Sequence, residues 1–573
     1  MALQPRGQFL LTLHSHLPLV LGHGRWPHGS DWLSEVTIGC YIPLLSVLQQ
    51  KAAAGRRSLA TISVTPILCE QLAHPTYRGE IQQFLKQRLE AVADNRAHFE
   101  RTGQDELAGI AGFWDATYRE VRARFDAIDG DIIGAFRRLA DRGVVELITS
   151  AATHGYLPLL AREESIDLQL RTGRAAHERH FGARPNGVWL PECGYRPRYE
   201  WTPPAGKLKG KARWRRRGIE EFLSMHGLDY FVTDAHLLQG GEPVSAYRDY
   251  YPALREVTTG GEHPAFRRER TPYRPYVVAS RGGTGDAVAF TRDPRTTMQV
   301  WSREAGYPGE GAYLEFHKKH FPGGIRYWRV TDHRSDLGAK LPYMPGRATD
   351  SARTHASHFV HLVGQVLDGE AQRTGRPSIA CNPYDTELFG HWWFEGPAFI
   401  DAILDLLPEA GVHVDTLKAY LAQHPPSDAI TLLEGSWGEA GDHRVWLNRD
   451  TEWTWDMEYA AEEEFWSLVH GLKWEGHRLL ERLVAQLARE LLLLQSSDWQ
   501  FLITTQAARN YAETRFAEHY AHFTRLVHAV RDAAAGRAVA RDDESFLAAR
   551  EAQDFPFPDV LAHVREARQV PAL

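Results

Sequence analysis

Cysteine is scarce in this 573-residue chain: Cys40, Cys69, Cys193 and Cys381 are its four, widely scattered and with no C-x-x-C pair. That spacing suggests neither a zinc cage nor a disulfide framework. Long apolar runs are missing too. The one around Leu491–Leu494 is far short of the about 18 residues that a membrane span needs. At the start of the chain an apolar run is interrupted by His14 and His16, and no small-residue cleavage site follows. An excess of positive charge is also absent: the net charge is -7, which gives no electrostatic case for nucleic acid or anionic membrane as a partner. The basic stretch Lys207–Arg217 (KLKGKARWRRR) therefore reads as a solvated loop. A soluble, cytoplasmic protein is expected.

Aromatic residues, by contrast, are plentiful. Seventeen tryptophans and 21 tyrosines accompany many acids and glycines. Sugar rings stack their apolar faces on aromatics while their hydroxyls pair with Asp, Glu, His and Arg, so a carbohydrate ligand fits this composition.

Along the chain, short apolar runs at Phe9–His14, Leu59–Val64, Val144–Thr149, Val188–Leu190, Asp229–Thr233, Val277–Ser280, Ala287–Thr291 and Ser378–Cys381 predict strands alternating with helices. That alternation predicts a parallel α/β sheet, and polar residues at the strand ends favour a barrel. An amphipathic helix is expected over 31–50, with Pro43 kinking or dividing it. Residues from about 74 to 142 read as a helical insertion. Segment 299–309 reads as an aromatic loop, and 325–345 has no evident role. After about residue 427 only helices are expected, giving a barrel over 1–427 and an all-α domain over 428–573.

Chemistry is concentrated at the strand ends. Val188-Trp189-Leu190-Pro191-Glu192 carries an apolar run straight into a carboxylate, which is costly unless the acid is used. His14 and His16, two apart on an extended chain, share a face, and His154 sits at another strand-to-helix connection. A second strand leads into Asn382-Pro383-Tyr384-Asp385-Thr386-Glu387, followed by His391 and two tryptophans. Two carboxylates across a pocket are what glycosidic bond cleavage requires. Glu192 is one; the residues leave Asp385, Glu387, Glu395 and Glu439 open as its partner. A rival reading places zinc on His14, His16, His154 and a nearby acid for hydrolysis of the deacetylase kind. A non-catalytic glucan binder would need the two carboxylates apart.

Five motifs in order carry a family resemblance: His14-Ser15-His16-Leu17-Pro18, Thr153-His154-Gly155, Trp189-Leu190-Pro191-Glu192, Tyr384-Asp385-Thr386-Glu387 and the tryptophan-rich helical region. Together they resemble glycoside hydrolase family 57 along nearly the whole chain. Gln299-Val300-Trp301-Ser302, Gly306-Tyr307-Pro308-Gly309, Glu434–Glu439 and Ser497-Asp498-Trp499 are similar to that family's 1,4-α-glucan branching enzymes. The resemblance implies an incomplete (β/α)7 barrel whose cleft is completed by the helical domain. It implies Glu192 as nucleophile and Asp385 as general acid/base in a retaining transfer on α-1,4-glucan, with no cofactor or metal. It further implies glucan binding by Arg292, Gly309, Trp437 and Asp498, with His14, His16, His154 and Trp446 at the donor subsites. A lid over 235–266 would carry a water-excluding tyrosine, Tyr247 or Tyr250. An α-amylase or 4-α-glucanotransferase of the same family is the alternative.

Overall fold

The computed structural model describes residues 6–207, 209–239, 270–282, 285–302, 304–332 and 334–571. Tyr247 and Tyr250 lie outside them. Twelve strands are described: β1 (Gly7–Ser15), β2 (Ala60–Val64), β3 (Val145–Ile148), β4 (Gly187–Trp189), β5 (Tyr199–Trp201), β6 (Trp214–Arg216), β7 (Tyr230–Thr233), β8 (Tyr276–Ala279), β9 (Asp286–Thr291), β10 (Ile379–Asp385), β11 (Val412–Val414) and β12 (Ala429–Ile430).

Two sheets form a nearly closed ring. In the first, β10, β1, β2 and β3 pair in parallel, with β11 added beside the start of β1. In the second, β4, β7 and β9 are parallel; β8 runs antiparallel to β9, and β12 pairs with β8. Short contacts join them. On one side Trp189 N–H donates to the Thr149 carbonyl at 2.9 Å; on the other Asp293 N–H donates to the Cys381 carbonyl at 2.9 Å. The parallel strands β1, β2, β3, β4, β7, β9 and β10 thus make a seven-membered barrel, sewn at two seams by bridges rather than full ladders.

Why these segments are strands follows from burial. β1 and β2 are apolar on both faces and almost wholly enclosed, as parallel strands covered on both sides must be. The β1 register sets His14 opposite Asp385 on one neighbour and Ser63 on the other, so the functional ends of three strands stand level.

Three departures from the sequence reading have physical causes. Pro43 does not break its helix: a π-helical turn, Thr37–Tyr41, joins Ser30–Val36 to Ile42–Ala53. The extra residue in the turn lets the chain pass a proline that has no N–H to donate. Gln299–Trp301 is no loop but the end of helix Pro294–Trp301, whose N-cap Asp293 accepts from the N–H groups of Arg295 and Thr296. Segment 325–345 straps the helical insertion to the barrel: Trp114 Nε1 donates to the Arg326 carbonyl at 2.6 Å, Asn95 to the Tyr327 hydroxyl at 3.1 Å, and Tyr343 to Glu395 at 2.7 Å. The insertion comprises helices Tyr77–Arg101, Asp105–Ala127 and Ile132–Asp141.

Past residue 427, β12 still belongs to the second sheet, and helices begin at Glu452–Gly471. Those that follow bury a core of their own around Phe465, Trp466, Leu487, Leu491 and Phe516. Helix Ser30–Ala53 is long and apolar enough to cross a membrane, but 67% of its apolar window is buried within the fold.

Candidate active site

Glu192 follows β4 in a tight turn, Pro191–Cys193, with left-handed backbone angles (φ 56°, ψ 25°). A residue other than glycine adopts that conformation at a cost of roughly 1–2 kcal/mol, so the surroundings must impose it. They do: Trp437 N–H donates to the Glu192 carbonyl at 3.1 Å, and Tyr195 and Gly435 exchange two backbone bonds three residues on. The turn thereby aims the carboxylate into a cavity of about 120 Å³.

Both oxygens of that carboxylate are held. Trp437 Nε1 donates to Oε2 at 2.9 Å and Ser497 Oγ to Oε1 at 3.0 Å. Burial pushes the Glu192 pKa up to about 7; the two donors and His16 oppose the rise, while Asp498 adds to it. Behind Trp437, the indole of Trp189 packs edge-on at 5.4 Å, Trp301 at 6.2 Å, and the Arg292 guanidinium lies 5.9 Å from the ring.

The histidines form a directed chain. His14 Nδ1 lies 3.1 Å from Ser63 Oγ, His14 Nε2 lies 3.0 Å from His154 Nε2, and His154 Nδ1 lies 2.9 Å from Ser497 Oγ. An ionised Glu192 only accepts, so the single Ser497 proton goes to it. His154 Nδ1–H must then donate to Ser497, His14 Nε2–H to His154, and Ser63 to His14. Neutral rings are required, and burial lowers both the His14 and His154 pKa well below the ordinary value. Each bond in the chain points its proton toward Glu192, which strengthens the last donor. His14 is also stacked flat on Trp189, centroids 4.7 Å apart.

His16 behaves differently. Burial alone would depress its pKa, but Asp498, 2.8 Å from Nε2, together with the Glu192 and Glu387 carboxylates outweighs it and the pKa rises. Asp498 is gripped in turn by Ser496 at 2.6 Å.

Asp385, the last residue of β10, lines the same cavity as Glu192, as do His14, His16, His154, Trp437 and Asp498. Glu387 joins them. Its carboxyl accepts from the Tyr41 hydroxyl and, at 3.1 Å, from the His16 backbone N–H, and burial raises its pKa to about 7. Tyr41 is delivered by the π-turn, which clamps the segment after Asp385: Cys40 Sγ approaches the Thr386 carbonyl at 3.0 Å, and Gly39 and Gly390 meet backbone to backbone. Glu395 is buried beyond the turn, bonded to Tyr343 and Leu314 N–H.

Other expected residues lie elsewhere. Trp446 is fully buried, stacked on Tyr156 at 4.4 Å, and does not face the cavity. Arg292 is 1% exposed and paired with Asp234 beneath Trp437, and Gly309 ends the turn Tyr307–Gly309 outside the cavity lining. Leu17, Trp32, His391, Trp392, Phe501 and Leu502 complete the cavity, and Ser497 grips the carboxylate. Of these, Leu17, His391, Trp392 and Ser497 stand in or beside motifs noted in the sequence, whereas Trp32, Phe501 and Leu502 carried no such signal.

His16, His154 and Asp498 are close enough to hold a metal ion. Both nitrogens of His154 are engaged by His14 and Ser497, and His16 has spent Nε2 on Asp498 and Nδ1 on Thr65. As a ligand set this is poorly suited, because a ligand nitrogen must present a free lone pair.

Comparison with known proteins places these features. Residues 10–432 match the model of glycosyl hydrolase family 57, and 458–564 match the C-terminal region of 1,4-alpha-glucan branching enzymes. A 1,4-alpha-glucan branching enzyme of Thermococcus kodakarensis is 41% identical over 522 residues, covering 91% of this chain and 73% of that one. The crystal structure of a GH57-type branching enzyme from Pyrococcus horikoshii superposes with a TM-score of 0.86 at 38% identity, covering 98% and 97% of the two chains. An α-amylase of Thermotoga maritima superposes with a TM-score of 0.78 at 26% identity, over 97% of this chain and 99% of that one. With the Glu192 turn, the seven-stranded barrel and both regional matches on one polypeptide, the chain belongs to glycosyl hydrolase family 57, within its branch of 1,4-alpha-glucan branching enzymes.

Proposed function

We propose that the chain is a glycosyltransferase that cleaves an α-1,4 bond in a glucan and rejoins the fragment through an α-1,6 bond. The observation that carries the reading is Glu192 lining one cavity with Asp385 while Trp437 and Ser497 hold both its oxygens. Glu192 attacks the anomeric carbon as Asp385 gives its proton to the departing glycosidic oxygen, and the donor chain is left as an ester on Glu192. Asp385, now a base, takes the proton of an acceptor 6-hydroxyl as that oxygen displaces Glu192. The configuration is retained. Asp498 meets sugar hydroxyls at the cavity wall, His14 and His154 orient Ser497 toward Glu192, His16 holds Asp498, and Arg292 and Trp301 keep Trp437 in place.

Hydrolysis is the second reading, favoured by the likeness to the T. maritima amylase. It differs only in the acceptor. Amylose incubated with enzyme, then debranched and sized, separates them: branching predicts new α-1,6 links with few new reducing ends. Reducing ends without such links would overturn it. Glu192→Gln and Asp385→Asn should abolish either product.

A further inference from the structure

A second concavity lies apart from the one that holds Glu192. A groove of about 760 Å³ opens between the β5–β6 hairpin and helix Glu452–Gly471. The basic stretch expected as a solvated loop is exposed at Lys209, Lys211 and Arg213, while Lys207, Trp214 and Arg215 line the groove. Trp214 lines the groove and stands cross-strand from Trp201. Their rings meet edge to face at 5.2 Å, and Trp201 is buried beneath the Arg216 guanidinium, 4.6 Å from its ring. Trp214 is thus braced from behind while it remains half-exposed in front.

Opposite, Asp456, Tyr459, Ala460 and Glu463 line the groove from one face of the helix, at the spacing that brings residues into line. Tyr459 is fixed by its hydroxyl bond to the Leu159 carbonyl at 2.9 Å. The charges are mixed in sign: Glu163, Glu164, Asp456, Glu463 and Glu464 against Arg162, Lys207 and Arg215, with Arg162 bonded to Glu463 at 3.3 Å. The excess of carboxylates leaves no case for an anionic ligand. Two aromatic rings flanked by carboxylates and guanidinium groups suit a neutral polyhydroxylated chain, whose ring faces stack while its hydroxyls both donate and accept.

We infer that this groove is a second glucan-binding site, separate from the Glu192 cavity, which holds another stretch of the polymer on which the enzyme works. The inference rests on the glucan reading of the Glu192 site. A site of this kind raises the local concentration of chain ends at the cavity without taking part in bond cleavage.

The test uses the full chain carrying Glu192→Gln, so that bound glucan is not consumed, in native gels containing amylopectin. Retardation should weaken about fivefold on adding Trp214→Ala, the loss expected for one stacked ring, and should return with Trp214→Phe. Ala460→Arg, on the exposed helix face, fills the groove without touching the hairpin and should weaken retardation equally; it serves if the Trp214 variants fail to fold. Calorimetry with maltoheptaose should count two sites in the Glu192→Gln parent and one after Ala460→Arg. Unchanged retardation in folded Trp214→Ala and Ala460→Arg, or a single site in the parent, overturns the inference while leaving the proposed reaction intact. Wild-type enzyme that makes no product from amylose, with a parent that binds no glucan, removes the proposed reaction instead.

Discussion

The indole N–H of Trp437 and the carboxylate of Glu192 are 245 residues apart in sequence and 2.9 Å apart in space. The same tryptophan also donates its backbone N–H to the Glu192 carbonyl, so one residue fixes both the strained backbone and one carboxylate oxygen of the other. Replacing Trp437 by phenylalanine keeps the backbone bond and removes the side-chain bond. A hydrogen bond to a carboxylate contributes about 1.5–3 kcal/mol, so kcat/KM on amylose should fall roughly 10- to 100-fold. The loss should be accompanied by a higher apparent pKa, because a donor that favours the ionised form has gone.

The acid limb of the pH profile tests the state of Glu192. Attack requires the carboxylate, and burial sets its pKa at about 7. As pH falls through that value Glu192 takes up a proton, and kcat/KM should drop about tenfold per unit below it. A profile that stays flat down to pH 5 would show that burial does not hold the Glu192 pKa near 7.

At Gly390 the demand is steric. Its φ is +117°, and an added Cβ would lie 1.9 Å from the Gly39 carbonyl oxygen of the π-turn. Gly390→Ala should cost about 3 kcal/mol or more and displace the segment after Asp385, lowering both the thermal midpoint and activity. Gly369→Ala is the control: it lies within a helix with nothing in reach of a Cβ, and should raise the midpoint slightly through a gain of about 0.5–1 kcal/mol. Equal midpoints for the two variants would contradict the clamp.

Glu395 links pH to stability. Burial raises its pKa to about 7 against an ordinary value of 4.5. A folded pKa above the unfolded one means the folded state holds the proton more tightly. The stabilisation is full below the unfolded value and is lost as pH rises through 7. Glu395→Gln cannot ionise, so its stability relative to wild type should grow between pH 5 and pH 8 by up to about 3 kcal/mol. Urea unfolding at the two pH values measures it; a difference independent of pH would show that Glu395 is ionised throughout.

Much of this site was readable before the fold was seen. Parallel strands buried on both faces leave only their ends for polar groups, so Glu192, His14 and His16 interrupt apolar runs, whereas only the family resemblance separates Asp385 from Glu387, Glu395 and Glu439. What tertiary packing decides was not readable. The resemblance implies Trp446 at the donor subsites, and the fold buries it against Tyr156, apart from the cavity lining. Tyr41 lies in an ordinary apolar helix pattern, and only the π-turn swings its hydroxyl onto Glu387. The eight-residue helix ending at Trp301 was too short for periodicity to declare it, although Asp293-Pro294 at its start is a capping signature. Ser497 donates to Glu192 from 305 positions away, a relationship that no local pattern encodes.

The barrel presents Glu192, but the residues that grip it, Trp437 and Ser497, arrive from beyond the last parallel strand of the ring. Two relatives cannot therefore exchange their C-terminal portions as independent cassettes. A chimera joined near residue 427 inherits its carboxylate from one parent and that carboxylate's donors from the other. Substitutions that shift the position of the Glu192 turn must be matched, within the same lineage, by changes near 437 and 497.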